Sequence, residues 1–238
     1  MNKKSLSEAI IALQDLVASL RGPEGCPWDL KQTEETIKMY LMEEAYEVLD
    51  AIEEGTPDDV CQELGDLLFQ ILFLARLAEE RGEFDLADVL EKITQKMIHR
   101  HPHVFGPAKV KGADEVSANW ERIKREEKGG QESLSTRLEG VPGNLPALLR
   151  AHRLQERASK GGVDESGPEE VWARVTGNIQ EIRGYSPDKG DAPPAENLGE
   201  LLFDLVKVAR AWGLNAEHLL RGANNDFIEG LKEKEKKT

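Results

Sequence analysis

The chain has 238 residues, enough for one large domain or two modest ones, and carries a net charge of -14 with 32% charged residues. Such an acidic balance argues against duplex nucleic acid as a partner, because duplex binding rewards Lys and Arg that neutralise phosphates. The two cysteines, Cys26 and Cys61, stand neither at metal-ligand spacing nor in sufficient number for a disulfide framework, which fits a reducing cytosol. In chain order, Lys3 and Lys4 precede an apolar stretch, but Glu8, Gln14 and Asp15 interrupt it where a secretory leader would stay apolar. The stretch reads as an amphipathic first helix, capped by Ser5 or Ser7 and stopped at Gly22-Pro23. No run reaches the roughly 18 apolar residues that a membrane span needs, so no membrane partner is expected.

A loop from Gly22 to Gln32 leads to a second helix, predicted from about Thr33 to Glu54 and ended by Gly55. Thr56, Pro57 and Asp58 supply the cap and first turn of a third helix through Leu77. The short connection makes these two antiparallel neighbours. Asp85 caps a fourth helix to about His99, Pro102 and Gly106-Pro107 break the pattern, and a further helix runs from about Asp114 to Lys128. Nothing in this half alternates like a strand. The Gly- and Ser-containing stretch 129–143 is the expected boundary between halves. Beyond it, helices are expected at about Leu145 to Lys160, Pro168 to Gly184, Glu196 to Trp212 and Ala216 to Lys236, with the longest loop from Tyr185 to Pro194.

An internal repeat organises the chain. Leu64, Gly65, Leu67, Leu68, Phe69, Ala75 and Arg76 recur 134 positions later as Leu198, Gly199, Leu201, Leu202, Phe203, Ala209 and Arg210, while Glu63 becomes Asn197 and Asp66 becomes Glu200. The apolar framework is kept and the acids are altered, which suggests two related helical units of unequal chemistry.

The acids of the first copy form a pattern. Glu44 and Glu47 are three apart on the second helix, and Glu63 and Asp66 repeat that spacing on the third, so each pair projects from one face. Antiparallel packing brings the two pairs together, as in helical-bundle metal sites. Leu41, Ala45, Val48, Leu49 and Ile52, with Leu64, Leu67, Leu68, Ile71 and Leu74, are the expected core faces bordering them. At about 6 Å and an effective dielectric near 20, each like-charge pair costs about 3 kcal/mol, so the cluster needs a counter-cation or raised pKa values. An all-oxygen set suits Mg²⁺ first and Mn²⁺ second. Downstream, Lys96 and Arg100 share one helical face, as do Trp120 and Lys124. Two cations and an indole of this kind suit a phosphate attached to an aromatic base.

These residues resemble the MazG family of all-α nucleoside triphosphate pyrophosphohydrolases. The resemblance rests on Gly25-Cys26-Pro27-Trp28-Asp29 with Lys31-Gln32-Thr33, on Glu43-Glu44-Ala45-Tyr46-Glu47 with Glu63-Leu64-Gly65-Asp66, and on His101-Pro102-His103-Val104-Phe105-Gly106. It implies an all-α fold of tandem helical-bundle domains, with residues 1–128 catalytic, 129–143 a linker and 144–238 a degenerate copy. A homodimer that completes the bundle follows from the same resemblance, while the cysteine usage makes a cytoplasmic location the expectation. So do Mg²⁺ held by Glu44, Glu47, Glu63 and Asp66, Glu43 as the catalytic acid that orients water, and Lys96, Arg100, Trp120 and Lys124 as nucleotide contacts. The implied reaction converts a nucleoside triphosphate and water to the monophosphate and pyrophosphate.

The second copy departs from the family pattern. Gly177 and Asn178 stand where two glutamates are expected, and Asp226 and Gly230 align with Lys96 and Arg100. Catalysis is therefore expected in the first copy. The competing expectations are a relative of narrower specificity, acting on dUTP or phosphoribosyl-ATP, and a non-catalytic scaffold whose acids are solvated.

Overall fold

The computed structural model describes residues 5–127, 129, 133–163, 166–185 and 194–237. Among the described residues the secondary structure is helical throughout, with no strand. The helices are α1 (Leu6–Leu20), α2 (Glu34–Glu54), α3 (Pro57–Glu80), α4 (Leu86–Arg100), α5 (Pro102–Phe105), α6 (Ala113–Glu127), α7 (Leu134–Glu139), α8 (Ala147–Lys160), α9 (Pro168–Arg183), α10 (Ala195–Ala211) and α11 (Ala216–Glu235). A single 3₁₀ turn, Asp29–Lys31, interrupts the first loop. The chain divides into two compact units, Met1–Ile123 and Lys124–Thr238, and the division falls inside α6. The stretch 129–143, expected as a linker, carries the short helix α7, which packs on α8. Most of the expected loop from Tyr185 to Pro194 lies outside the described residues.

In the first unit, α2 and α3 form the main pair and α1 and α4 pack on α3. The α2–α3 turn is set by local chemistry. Gly55 donates its N–H to Ala51 O at 2.9 Å, and a Cβ there would come within 2.7 Å of the same carbonyl, so a side chain is excluded. Thr56 and Asp59 then close a capping box, with the Asp59 carboxylate accepting from the Thr56 N–H at 2.7 Å and the Thr56 hydroxyl accepting from the Asp59 N–H at 3.3 Å. Pro57 in the first turn needs no N–H partner.

The core gathers Val17 of α1, Ile37 of α2, Leu72, Phe73, Ala75 and Leu77 of α3, and Leu86 of α4. Arg21 closes its edge. Its side chain donates to the Asp29 carbonyl at 2.6 Å and to the Glu80 carboxylate at 2.9 and 2.6 Å, and its guanidinium lies 5.3 Å from the centre of the Phe73 ring. The loop before α2 is thereby tied to the end of α3. These carboxylate contacts, chiefly the hydrogen bond from Arg21, hold the Glu80 carboxyl below its ordinary range.

The core differs from the expected one in one respect. Ala45, Leu49, Ile52, Leu64, Leu68 and Ile71 are exposed rather than buried. The apolar periodicity is real, but the helices of this unit pack on the other side of α3, through Leu72, Phe73 and Leu77. The second unit repeats the plan, with α10 packed on α9 and α8, and a smaller cluster of Val171, Val175 and Val208 with Leu201 against it. Here too Leu198, Leu202 and Leu205 are exposed.

Phe73 has no exposed surface, so Phe73→Ala is expected to lower stability by about 3–5 kcal/mol. Urea unfolding followed by circular dichroism measures this.

Candidate functional site

Helices α2 and α3 pair antiparallel about Gly55, which sets the register of the acids. Glu44 on α2 faces Asp66 and Gln70 on α3, while Glu47, one turn earlier along the pairing, neighbours Glu63. Glu44, Glu63 and Asp66 each present a carboxylate oxygen, and these oxygens all lie within 4.8 Å of one another. Glu44 and Glu63 are half-buried and Asp66 is exposed. Among the described residues this is the one group of three or more acid, His or Cys ligands so closely placed.

The charges strain against one another. Burial, then repulsion from Glu47 and Asp66, holds the Glu44 carboxyl above its ordinary range, although the Gln70 amide pulls it the other way. Burial, then Glu47, Asp66 and Asp59, raises Glu63 as well. Glu47 therefore borders the three-acid group and couples to two of its members. Glu43 is exposed and stands outside the group.

One residue at this site has no counterpart in the sequence reading. Gln70 is 8% exposed and donates from Nε2 to Glu44 Oε1 at 3.3 Å, while its own Oε1 is buried without a hydrogen-bond partner. Its signal was its position, one turn beyond Asp66 on the same stripe. An orphaned acceptor beside crowded carboxylates is a donor set in need of a cation and its water, and all-oxygen ligands fit a hard divalent ion.

A second grouping forms at the end of α4. The Arg100 guanidinium lies 5.3 Å from the Trp120 ring centre, His101 meets Trp120 edge-on at 5.0 Å, and His103 stands 5.6 Å from His101. His101 also contacts the Met97 carbonyl through Nδ1 at 2.6 Å. This joins the cation and indole expected to act together. Lys96, one turn before Arg100, is exposed. Lys124, one turn beyond Trp120 on α6, is half-buried and falls in the second unit.

The repeat treats the acid face differently in the second unit. Asp204 stands at the position of Gln70 and Asn178 at that of Glu44. Asp204, 6% exposed, accepts from Arg174 Nη2 at 2.7 Å and Nε at 3.1 Å. This copy supplies its own guanidinium where the first has a concentration of negative charge.

The chain is similar to known proteins over most of its length. Residues 32–105 match the family model of the MazG nucleotide pyrophosphohydrolase domain. The chain is 40% identical to the nucleoside triphosphate pyrophosphohydrolase/pyrophosphatase MazG of Thermotoga maritima over 97% of its own length and 88% of that protein. It is 42% identical to the nucleoside triphosphate pyrophosphohydrolase of Escherichia coli K12, over 94% of this chain and 86% of the relative. A protein of the same name from Mycolicibacterium smegmatis is 37% identical over 58% of this chain and 42% of the relative.

The raised carboxyls carry a pH signature. A carboxyl raised in the fold adds stability below its unfolded pKa, and loses it as pH rises through the folded value. In metal-free buffer, Glu63→Gln should therefore melt like the parent near pH 4 and at a higher temperature than the parent at pH 7.5. Calorimetry at the two pH values tests this.

Proposed function

The chain belongs to the MazG nucleotide pyrophosphohydrolase family, and from that premise we propose that its first unit performs the hydrolysis at the α2–α3 acids with Mg²⁺ as cofactor. The chain is a nucleoside triphosphate pyrophosphohydrolase. The observation that carries the assignment to the first unit is the set of Glu44, Glu63 and Asp66 oxygens within 4.8 Å of one another, with Gln70 turned onto Glu44.

Glu44, Glu47, Glu63 and Asp66 would hold the ion. When bound, it supplies Lewis-acid charge that offsets the phosphate oxygens and acidifies a water. The other roles fall to side chains. Gln70 fixes the Glu44 carboxylate in rotation and leaves its second oxygen available as a ligand. Glu43, adjacent to Glu44 and exposed, takes the proton from the attacking water. Arg100, oriented by the Trp120 face, grips phosphate oxygens in a bidentate manner, and the indole lies beside the base. Lys96 adds charge on the same face of α4. Lys124 is assigned to substrate by the family resemblance alone.

Residues 144–238 form a copy without this chemistry, since Asn178 and Asn197 stand where the first copy has Glu44 and Glu63. The exposed stripe of Leu49, Ile52, Leu64, Leu68 and Ile71 supports a homodimer, because a second copy would remove that apolar surface from water.

In the full chain with Mg²⁺, Asp66→Asn should abolish release of monophosphate and pyrophosphate, while Glu200→Gln should leave it unchanged. Product chromatography reads both, and the reverse pattern would move the active site to the second unit. Gln70→Ala should weaken Mg²⁺ activation by about 10- to 100-fold, measured as the Mg²⁺ concentration for half-maximal rate. For the assembly, light scattering at micromolar concentration should give twice the chain mass, and Leu68→Glu should halve it. A parent protein that is a stable monomer would refute the dimer.

A further inference from the structure

The second unit holds a cleft of about 440 Å³ that the acid site does not use. It lies where the end of α8, the start of α9 and the end of α10 meet, and its walls include Ser159, Trp172, Lys207, Val208, Arg210 and Trp212. Its size falls within the range of small-molecule sites, about 300–1,000 Å³.

Its walls were changed relative to the first copy in a consistent direction. Lys207 is the repeat counterpart of Phe73, the residue with no exposed surface at the centre of the first core. A lysine buried to 8% exposure has replaced a core phenylalanine, which places a cation in the wall of the cleft. Arg210 is the counterpart of Arg76. In the first unit Arg76 pairs with Glu79 and Glu80 at 3.1 Å each, and at those two positions the second unit has Gly213 and Leu214. The arginine was retained and the carboxylates one turn on were not. Lys207 and Arg210 also interact within the chain, so a ligand shares them with the protein.

The apolar part is aromatic. Trp172 and Trp212 lie with ring centres 6.3 Å apart, tilted by 47°, and remain 44% and 66% exposed. Two indoles that face solvent beside two cations suit a planar ring joined to an anion. The α9 N-terminus opens beside the cleft, but Pro168 there has no N–H and Glu169 and Glu170 share its first turn, so the cationic side chains and not this helix end would meet an anion. The α10 carbonyls that would repel an anion accept from the N–H groups of Trp212, Gly213 and Leu214.

We propose that this cleft binds a nucleoside phosphate without hydrolysing it, the base lying on Trp172 and Trp212 and the phosphate on Lys207 and Arg210. The site is separate from the acid cluster and requires no metal.

The test is isothermal titration of the full chain in EDTA with adenosine or guanosine monophosphate, with the free nucleosides and inorganic phosphate as separate arms. A saturable monophosphate site at least tenfold tighter than either fragment is expected. Trp212→Ala and Lys207→Met should each weaken it at least tenfold, with Trp212→Phe restoring most of the affinity, while Mg²⁺-dependent hydrolysis by these variants stays at the parent rate. Unchanged monophosphate affinity in Trp212→Ala, whose side chain is too exposed to be needed for folding, would overturn the proposal. So would the absence of saturable binding, or equal binding of inorganic phosphate alone.

Discussion

Three carboxylates crowded onto two helices are the constraint around which the first unit is arranged. Like charges only a few ångströms apart repel, and water screens part of that repulsion where Asp66 meets the surface. Something apolar has to keep α2 and α3 in place despite that repulsion. The structure separates the two tasks along α3: Glu63, Asp66 and Gln70 occupy the earlier turns, and Phe73 and Leu77, which continue the same face, join Leu72 in the core with α1, α2 and α4. Gly55 and the Thr56–Asp59 capping box then fix the register, so that the acids meet one another and not the core.

The duplicated unit shows what happens when the same frame is released from that constraint. Exchange of Gln70 for Asp204 would bury a charge, and Arg174 on the neighbouring helix supplies the counter-charge. Further along the helix, exchange of Phe73 for Lys207 and of Glu79 and Glu80 for Gly213 and Leu214 reverses the sign of the local charge. The first copy concentrates negative charge in the earlier turns of its central helix and pairs the arginine of the later turns with Glu79 and Glu80. The second neutralises the acid face and leaves a cleft lined with cations. Backbone and packing are common to both, so the difference in chemistry comes from a handful of side chains on one helix.

The helices were legible because their stop and start signals are local: Ser5, Thr56 and Asp85 cap, Gly55 stops, and the copy of the 63–76 segment identified the central helix twice. The acid pairs were legible from their spacing for the same reason. Gln70 was not, because an amide in an amphipathic stripe reads as surface until its depth is known. Helix α7 was hidden by the Gly and Ser around it, although Leu134 and Leu138 give it a face toward α8. The core assignment failed in part because α3 is apolar on two sides. Periodicity reveals an apolar stripe but not which stripe the chain itself covers, so Leu64 and Leu68 seemed internal and are exposed.

That uncovered stripe is a different face from the acids. Leu64, Leu68 and Ile71 follow one helical spacing along α3, and Glu63, Asp66, Gln70, Phe73 and Leu77 follow another on the far side of the helix. The same helix therefore meets α2 through its acids and its core and turns its spare leucines outward. A surface that covers the leucines does so without entering the acid group, so the covering of this face and the binding of a cation are separate properties of one helix.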